Sequence, residues 1–491
     1  MGVQSRIKKF ATVQAAKAVL KILPRISEKN LLQFPLVRKG LESPMISKYP
    51  EGKEFFKSLL LHGRRTLGRS SKSCLDKFAR NLIVNEFIAA APQREEFHTR
   101  FGFDPPFFIV LSPTMRCNLA CYGCYAGEYE RGRELDGELI HRVLREAQEM
   151  GVYFVTVSGG EPFLRPDLLD IFAARGDQYF QVYTNGMLID RKMAKTLARL
   201  GNVLPAISVE GWEKETDARR GSGAFRKILE TMSFLREEGV LFGFSATATR
   251  KNSEVIISDE FVDFWARQGC FIGWFFNYVP IGKSPDMNLM PTPQQRIHRR
   301  RRLMELRPRV PLILADFWND GPLVGGCIAG DRYLHINNRG DVEPCVFIHF
   351  SVDNIREKSL GEILNSEFFH AFRRRQPYSR NFFRPCIIID HPHLLRQVVE
   401  QTGACPTHSG AETLLTDCAG ALDGYAAAYG ELADELWKEQ APSPVHPLPE
   451  GSQKELFPEH LPCIIPEAED RASFDPGTLK GETFLRRRRF R

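Results

Sequence analysis

From residue 107 onward, apolar runs of strand character alternate with segments of helical periodicity. The runs "FFIVLSPT" (107–114), "YFVTVSGG" (153–160), "YFQVYTNG" (179–186), "VLPAISVEG" (203–211), "LFGFSATAT" (241–249) and "FIGWFFNYVP" (271–280) are rich in β-branched and aromatic residues and end in small or polar ones. Between them, "GELIHRVLREAQEMG", "RKMAKTLARLG" and "RKILETMSFLREEG" carry apolar residues at helical spacing and close on Gly, a common helix stop. Strand–helix alternation predicts parallel strands joined by crossover helices. Six strands covered on both faces make an α/β barrel or part-barrel, whose functional residues gather at the C-terminal strand ends.

The pattern is different on either side. Residues 1–104 read as a helical, irregular N-terminal extension, and 105–317 as the barrel. Residues 318–440 read as a small C-terminal domain opening with a β-hairpin around "NNRG", where Asn and Gly supply positive φ values. Residues 441–491 read as a flexible tail, with eight prolines between 441 and 479 and the basic end "LRRRRFR".

Composition is that of an ordinary soluble domain, with 43% hydrophobic and 26% charged residues. No apolar run reaches the roughly 18–20 residues of a membrane span, and the N-terminus lacks the apolar core and cleavage site of a secretory signal. Cytoplasmic placement is therefore expected, where eleven thiols serve as metal ligands, catalytic groups or core residues sooner than as disulfides. Residues 1–50 hold ten Lys or Arg against two Glu. Ile7, Phe10, Val13 and Leu20, interleaved with lysines, predict a basic amphipathic helix. It reads as a cap docked on the core or, alternatively, as a peripheral contact with the inner membrane surface.

The chemistry concentrates in "MRCNLACYGCYAGEY" (115–129), where Cys117, Cys121 and Cys124 fall within eight positions after the first strand. Zinc would need a fourth ligand nearby. Three cysteines on a four-iron cluster instead leave one iron open to a small molecule.

The C-x3-C-x2-C loop resembles the signature of the radical S-adenosylmethionine (radical SAM) enzymes. That resemblance implies a (β/α)6 partial TIM barrel and a [4Fe-4S] cluster held by Cys117, Cys121 and Cys124. It also implies reductive cleavage of S-adenosyl-L-methionine to a 5′-deoxyadenosyl radical, with electrons from a flavodoxin or ferredoxin. "SGGEP" (158–162) resembles the methionine-amine site, Ser158, Gly159, Gly160 and Glu161. "YTNG" resembles the ribose segment, pointing to Thr184 and Asn185, and "SVEGWEKETDARRGSG" points to Ser208 and to Arg220 as the partner of the methionine carboxylate. "PIGKSP" (280–285) weakly resembles the adenine segment. Three positions depart from the frequent pattern: Gly123 where an aromatic often precedes the third cysteine, Glu210 for Asp, and Thr216 for His. Tyr122 and Tyr125 are the candidates for the missing aromatic packing.

Cys327 and Cys345 flank the hairpin as C-x12-G-x4-C, with Gly340 in the turn, which resembles the opening of the SPASM or shorter twitch extension. The resemblance implies an auxiliary [4Fe-4S] cluster, assigned to Cys327, Cys345, Cys386 and Cys405 with Cys418 in reserve. Cys74, Cys270 and Cys463 read as core or tail residues, and His391 and His393 as helix-cap or hydrogen-bonded residues sooner than ligands. The expected function is hydrogen abstraction from an unidentified substrate, whether lipid or membrane-bound, peptide or small molecule. A non-catalytic iron-sulfur electron carrier is the competing class, and it has no need of "SGGEP", "YTNG" or "RRGSG". Radical modification of nucleic acid ranks below both, because no RNA-binding module is present and no specific nucleic acid is expected as a partner.

Overall fold

All six expected strands form. In the computed structural model, which describes residues 68–440 and the isolated helical positions Gln14, Asn30, Gln33 and Lys57, they are β1 (Phe108–Leu111), β2 (Phe154–Val157), β3 (Tyr179–Thr184), β4 (Val203–Val209), β5 (Gly243–Ala248) and β6 (Ile272–Asn277). Apart from Gln14, the expected basic N-terminal helix lies outside the described residues, as do Cys463 and the proline-rich tail. No helix among the described residues is long and apolar enough to cross a membrane.

The sheet extends past the six strands at both ends. β7 (Ile313–Asp316) pairs with β6, and β8 (Tyr333–Ile336) pairs with β1, both in parallel. The order is β7-β6-β5-β4-β3-β2-β1-β8-β9, with β9 (Val342–Glu343) antiparallel to β8. The expected "NNRG" hairpin is therefore β8–β9, turning through Gly340 at φ +94°. One sheet runs across the expected domain boundary at residues 317 and 318, so the hairpin flanking Cys327 and Cys345 is a structural continuation of the barrel wall.

The crossover helices follow local sequence signals. Asp136 accepts from the Leu139 amide to start α1 (Gly137–Glu149), which buries Leu139, Ile140, Val143, Leu144 and Ala147 at helical spacing. Asp190 and Ser258 cap the helices Arg191–Leu200 and Asp259–Gln268 in the same way, and Gly201 and Gly269 end them in the left-handed region. The segment 72–101 packs at the N-terminal strand ends. Buried Glu86 accepts from the Tyr153 and Phe154 amides at 2.7 and 2.9 Å, and Phe78 packs on Tyr179 and Phe271. The C-terminal ends, which carry the cysteine loop, are left to the chemistry.

Helix α2 (Pro293–Leu306) is covered by α3 (Ala419–Gln440) through buried arginines. Arg296 forms a fork with Asp390 (2.5 and 3.0 Å) and lies 3.7 Å over the Tyr429 ring, while Arg299 binds Asp316 at 2.7 Å. These pairs tie α2 to β7 and to the segment after Cys386, and the Tyr429 ring seats α3 on Arg296.

Candidate active site

Three loops at the C-terminal strand ends interlock around Cys117, Cys121 and Cys124, all half-buried. The "SGGEP" loop docks through its backbone: Gly160 N–H donates to Thr114 O (3.0 Å) and Glu161 N–H to Arg116 O (2.8 Å). A Cβ on Gly159 would collide with the Thr114 carbonyl, and one on Gly160 with that of Arg116. These glycines are thus required by the close approach of the cysteine loop itself. Buried Glu161 then accepts from Thr184 Oγ1 and Asn185 N–H, both at 2.8 Å, and from Phe163 N–H at 3.1 Å. It ties "SGGEP" to "YTNG". Asn185 Nδ2 continues the link to Asn118 Oδ1 at 2.8 Å.

The third loop follows β6. Gly282 leaves room for the carbonyls of Cys124 and Tyr125, and Lys283 N–H donates to Cys124 O at 3.0 Å. "PIGKSP" thus packs on the third cysteine. Gly123 has φ +60°, and a Cβ there would sit 2.7 Å from the Tyr278 ring. The aromatic missing before Cys124 has a counterpart in Tyr278. Tyr125 is held from the other side, its hydroxyl 2.7 Å from Ser158 Oγ.

Arg219, which the sequence reading passed over, is the residue that grips the cysteine loop. It donates to the carbonyls of Tyr122 (3.3 Å) and Gly123 (3.4 Å) and to Glu210 at 2.7 Å. Arg220 shares the same carboxylate, at 2.5 and 3.0 Å. One Glu between two Arg leaves a net positive charge beside the thiols. Thr216, in place of His, bonds Glu210 N–H and Gly211 O and shapes this turn. Ser208 Oγ is 3.4 Å from Ser245 Oγ on the inner barrel wall.

Sulfur geometry separates the cysteines. The amide two residues ahead points at Sγ of Cys117 (Leu119, 3.4 Å), Cys327 (Ala329, 3.5 Å), Cys345 (Phe347, 3.4 Å) and Cys386 (Ile388, 3.4 Å). The Ala126 amide does the same for Cys124. Such N–H groups favour sulfur as thiolate. Burial pushes the thiols of Cys327, Cys345 and Cys386 up to about 12, and each feels at least one of the others. They become thiolates when a metal centre supplies the compensating charge. Tyr333 OH adds a hydrogen bond to Cys345 Sγ at 2.6 Å.

Cys405 is the fourth of the expected auxiliary ligands. It is exposed on β11 (Cys405–Pro406), which pairs with β10 (Phe350–Ser351), and its Sγ points to Gly403 O at 3.7 Å. Cys74 and Cys270 are buried core residues. His391 stands at the N-cap position of the helix Pro392–Thr402, and its ring bonds Arg384 O at 3.0 Å instead of the helix. Among the described residues no three His, Cys, Asp or Glu side chains converge on a single metal ion.

Residues 111–248 match the Radical SAM superfamily, and residues 327–386 match SPASM, an iron-sulfur cluster-binding domain. The mycofactocin maturase MftC of Mycobacterium tuberculosis is 31% identical over 297 residues, covering 56% of this chain and 74% of that protein. The chain belongs to the radical SAM superfamily. Another radical SAM relative, Fe-coproporphyrin III synthase of Methanosarcina barkeri, is 27% identical over 326 residues, covering 57% of this chain and 79% of that protein. Streptococcus suis SuiB, in its structure bound to S-adenosylmethionine, shares the fold, with 20% identity and a TM-score of 0.51 over 63% of this chain and 80% of that one. Membership in the radical SAM enzymes brings S-adenosylmethionine and a [4Fe-4S] cluster, and the SPASM match brings auxiliary iron-sulfur chemistry. The SPASM match begins at Cys327 and ends at Cys386, leaving Cys405 outside it.

Proposed function

We propose that Cys117, Cys121 and Cys124 hold the cluster that binds S-adenosylmethionine, and that Cys327, Cys345 and Cys386 hold the auxiliary cluster. The observation that carries this reading is the repeated amide aimed at sulfur, found at five of these six cysteines and not at Cys405. When bound, the cluster and cofactor supply a 5′-deoxyadenosyl radical that takes a hydrogen atom from the substrate.

The protein's share is placement. Arg220, in surplus over the shared Glu210, offers its guanidinium to the methionine carboxylate. Ser158, Gly159 and Gly160 line the methionine-amine side. Glu161, already satisfied by three donors, holds Thr184 and Asn185 toward the ribose side, with Ser208 beyond. Gly123 and Tyr278 set the adenine side.

The inner wall next to this site carries Gln181, Tyr183, Ser208, Ser245, Trp274 and Phe276. Trp274 Nε1–H donates to Gln181 Oε1 (3.2 Å) and Gln181 Nε2–H to Tyr183 OH (2.8 Å). Aromatic faces, amides and hydroxyls receive an uncharged group, so the substrate presents an aromatic or amide-bearing part to the barrel. A peptide or a flat ring system suits this wall better than a small anion. The basic N-terminal stretch, with ten cations against two Glu in residues 1–50, supports a peripheral membrane contact as an additional property.

Anaerobic reconstitution tests the ligand assignment. Wild-type protein is expected to bind about eight irons per chain, and Cys121→Ala and Cys386→Ala about four each. Iron near four in the wild type, or no loss in Cys386→Ala, would overturn the second assignment.

A further inference from the structure

Two buried imidazoles outside the proposed ligands face each other behind the cysteine loop. His349 is fully buried and His408 is 8% exposed. His349 Nε2 is 2.9 Å from the Val346 carbonyl oxygen, and His408 Nδ1 is 2.8 Å from that of Ser409. Carbonyl oxygens only accept, so each of these nitrogens carries a hydrogen. On a neutral ring the remaining nitrogen is a bare acceptor. Yet the remaining nitrogens, His349 Nδ1 and His408 Nε2, stand 2.6 Å apart. Two lone pairs do not meet at that distance without a cation between them, and one proton suffices.

We propose that His349 and His408 share a single proton, forming a buried imidazole–imidazolium pair of charge +1 that positions the cysteine loop and raises the reduction potential of the cluster on it. The inference rests on the proposed seat of that cluster at Cys117, Cys121 and Cys124.

The contacts give the pair its reach. Both rings lie against Tyr129, at 4.8 and 4.5 Å between centroids, and His349 also lies 6.2 Å from the ring of Tyr125, which directly follows Cys124. The counter-charge is Glu343 on β9, fully buried. It accepts from Tyr129 OH (2.8 Å), Thr407 OH (2.6 Å) and Asn337 Nδ2–H (3.1 Å), and from His335 Nδ1 at 2.6 Å. His335 is closed off in turn by Ser112 Oγ at 2.7 Å. Glu343, His335, Tyr125 and Tyr129 are thus the titratable groups around the pair. Burial pushes the Glu343 carboxyl up, but the His335 contact outweighs burial and holds it below its usual range. Burial, with His408 adding to it, holds His349 down at about 3.

Reduction adds one electron, from dithionite in the test, and hence one negative charge to the loop. That charge favours the proton on the pair, so the midpoint potential falls as pH rises through the range in which the pair loses its proton. His408→Asn tests this, since an amide donates to His349 Nδ1 without carrying charge. The measurement is an anaerobic dithionite titration of the reconstituted full chain, followed by the cluster's electron paramagnetic resonance at several values between about pH 6 and about pH 9. The expected result is a midpoint that falls with pH in the wild type, and one that is flat and more negative at the acid end in the variant. A packing role alone would leave the slope unchanged, so equal slopes in the two proteins would overturn the proposal. So would an additional bound zinc or iron per chain that is lost in His408→Asn, since a metal would then be the cation. If His408→Asn does not assemble its clusters, His349→Gln is measured against the same criterion. Absence of the cluster signal from wild-type protein would fault the ligand assignment instead.

Discussion

Tyr278 stands where a side chain at position 123 would go: a Cβ on Gly123 would lie 2.7 Å from its ring, at a backbone φ of +60°. Gly123→Ala therefore meets both a left-handed backbone and an aromatic ring. The expected cost is about 1–3 kcal/mol, read as a lower unfolding midpoint of the reconstituted protein. Tyr278→Ala, by opening the space, is expected to recover part of the loss in the double variant. Full additivity of the two substitutions would contradict direct packing.

The two arginines on Glu210 should separate by function. Arg220→Met removes the cation offered to the cofactor's carboxylate, and S-adenosylmethionine affinity is expected to fall at least about tenfold by equilibrium dialysis. Arg219→Met frees the carbonyls of Tyr122 and Gly123, so its main effect should be on cluster retention. Unchanged affinity in Arg220→Met would return that residue to a purely structural pairing with Glu210.

Acid should loosen the cysteine loop through Glu134, which accepts from Thr114 Oγ1 and Arg116 Nε, both at 2.6 Å. Burial raises its carboxyl, but these donors outweigh burial and hold it below the ordinary range. A depressed folded-state value means stability that is present above the unfolded value of about 4.3 and lost as pH falls toward the folded one. The stability difference between wild type and Glu134→Gln is therefore expected to shrink as pH drops below that value. Denaturant unfolding across the acid range checks it.

Cys405→Ser is expected to keep the full iron content of the wild type, because the exposed thiol lacks the amide seen at Cys327, Cys345 and Cys386. Iron analysis decides; a loss as large as that of Cys386→Ala would restore Cys405 to the ligand set.

The barrel strands were legible because parallel strands buried on both faces read as apolar runs, and the cysteine loop because three thiols within eight residues are hard to place otherwise. β7 was missed: "PLILAD" is short and follows "RIHRRRRLMELRPRV", which hydropathy assigns to a surface. Arg296 and Arg299 of that stretch are in fact core residues, neutralised by Asp390 and Asp316, with the Tyr429 ring covering Arg296. Only partners distant in sequence make that possible. Arg219 was passed over for the same reason, since nothing in the chain says which of two adjacent arginines turns toward Gly123. The sequence also assigned Cys405 by count alone, whereas burial and the direction of a single amide distinguish it from Cys386.

The central claim is that the loop at 117–124 binds and cleaves S-adenosylmethionine. Its most direct measurement is 5′-deoxyadenosine formed by anaerobically reconstituted, dithionite-reduced protein. The account predicts formation by the wild type and none by Cys121→Ala, with the auxiliary cluster retained in the variant. A wild type that holds both clusters and yields no 5′-deoxyadenosine, or a Cys121→Ala variant that still yields it, would contradict the account.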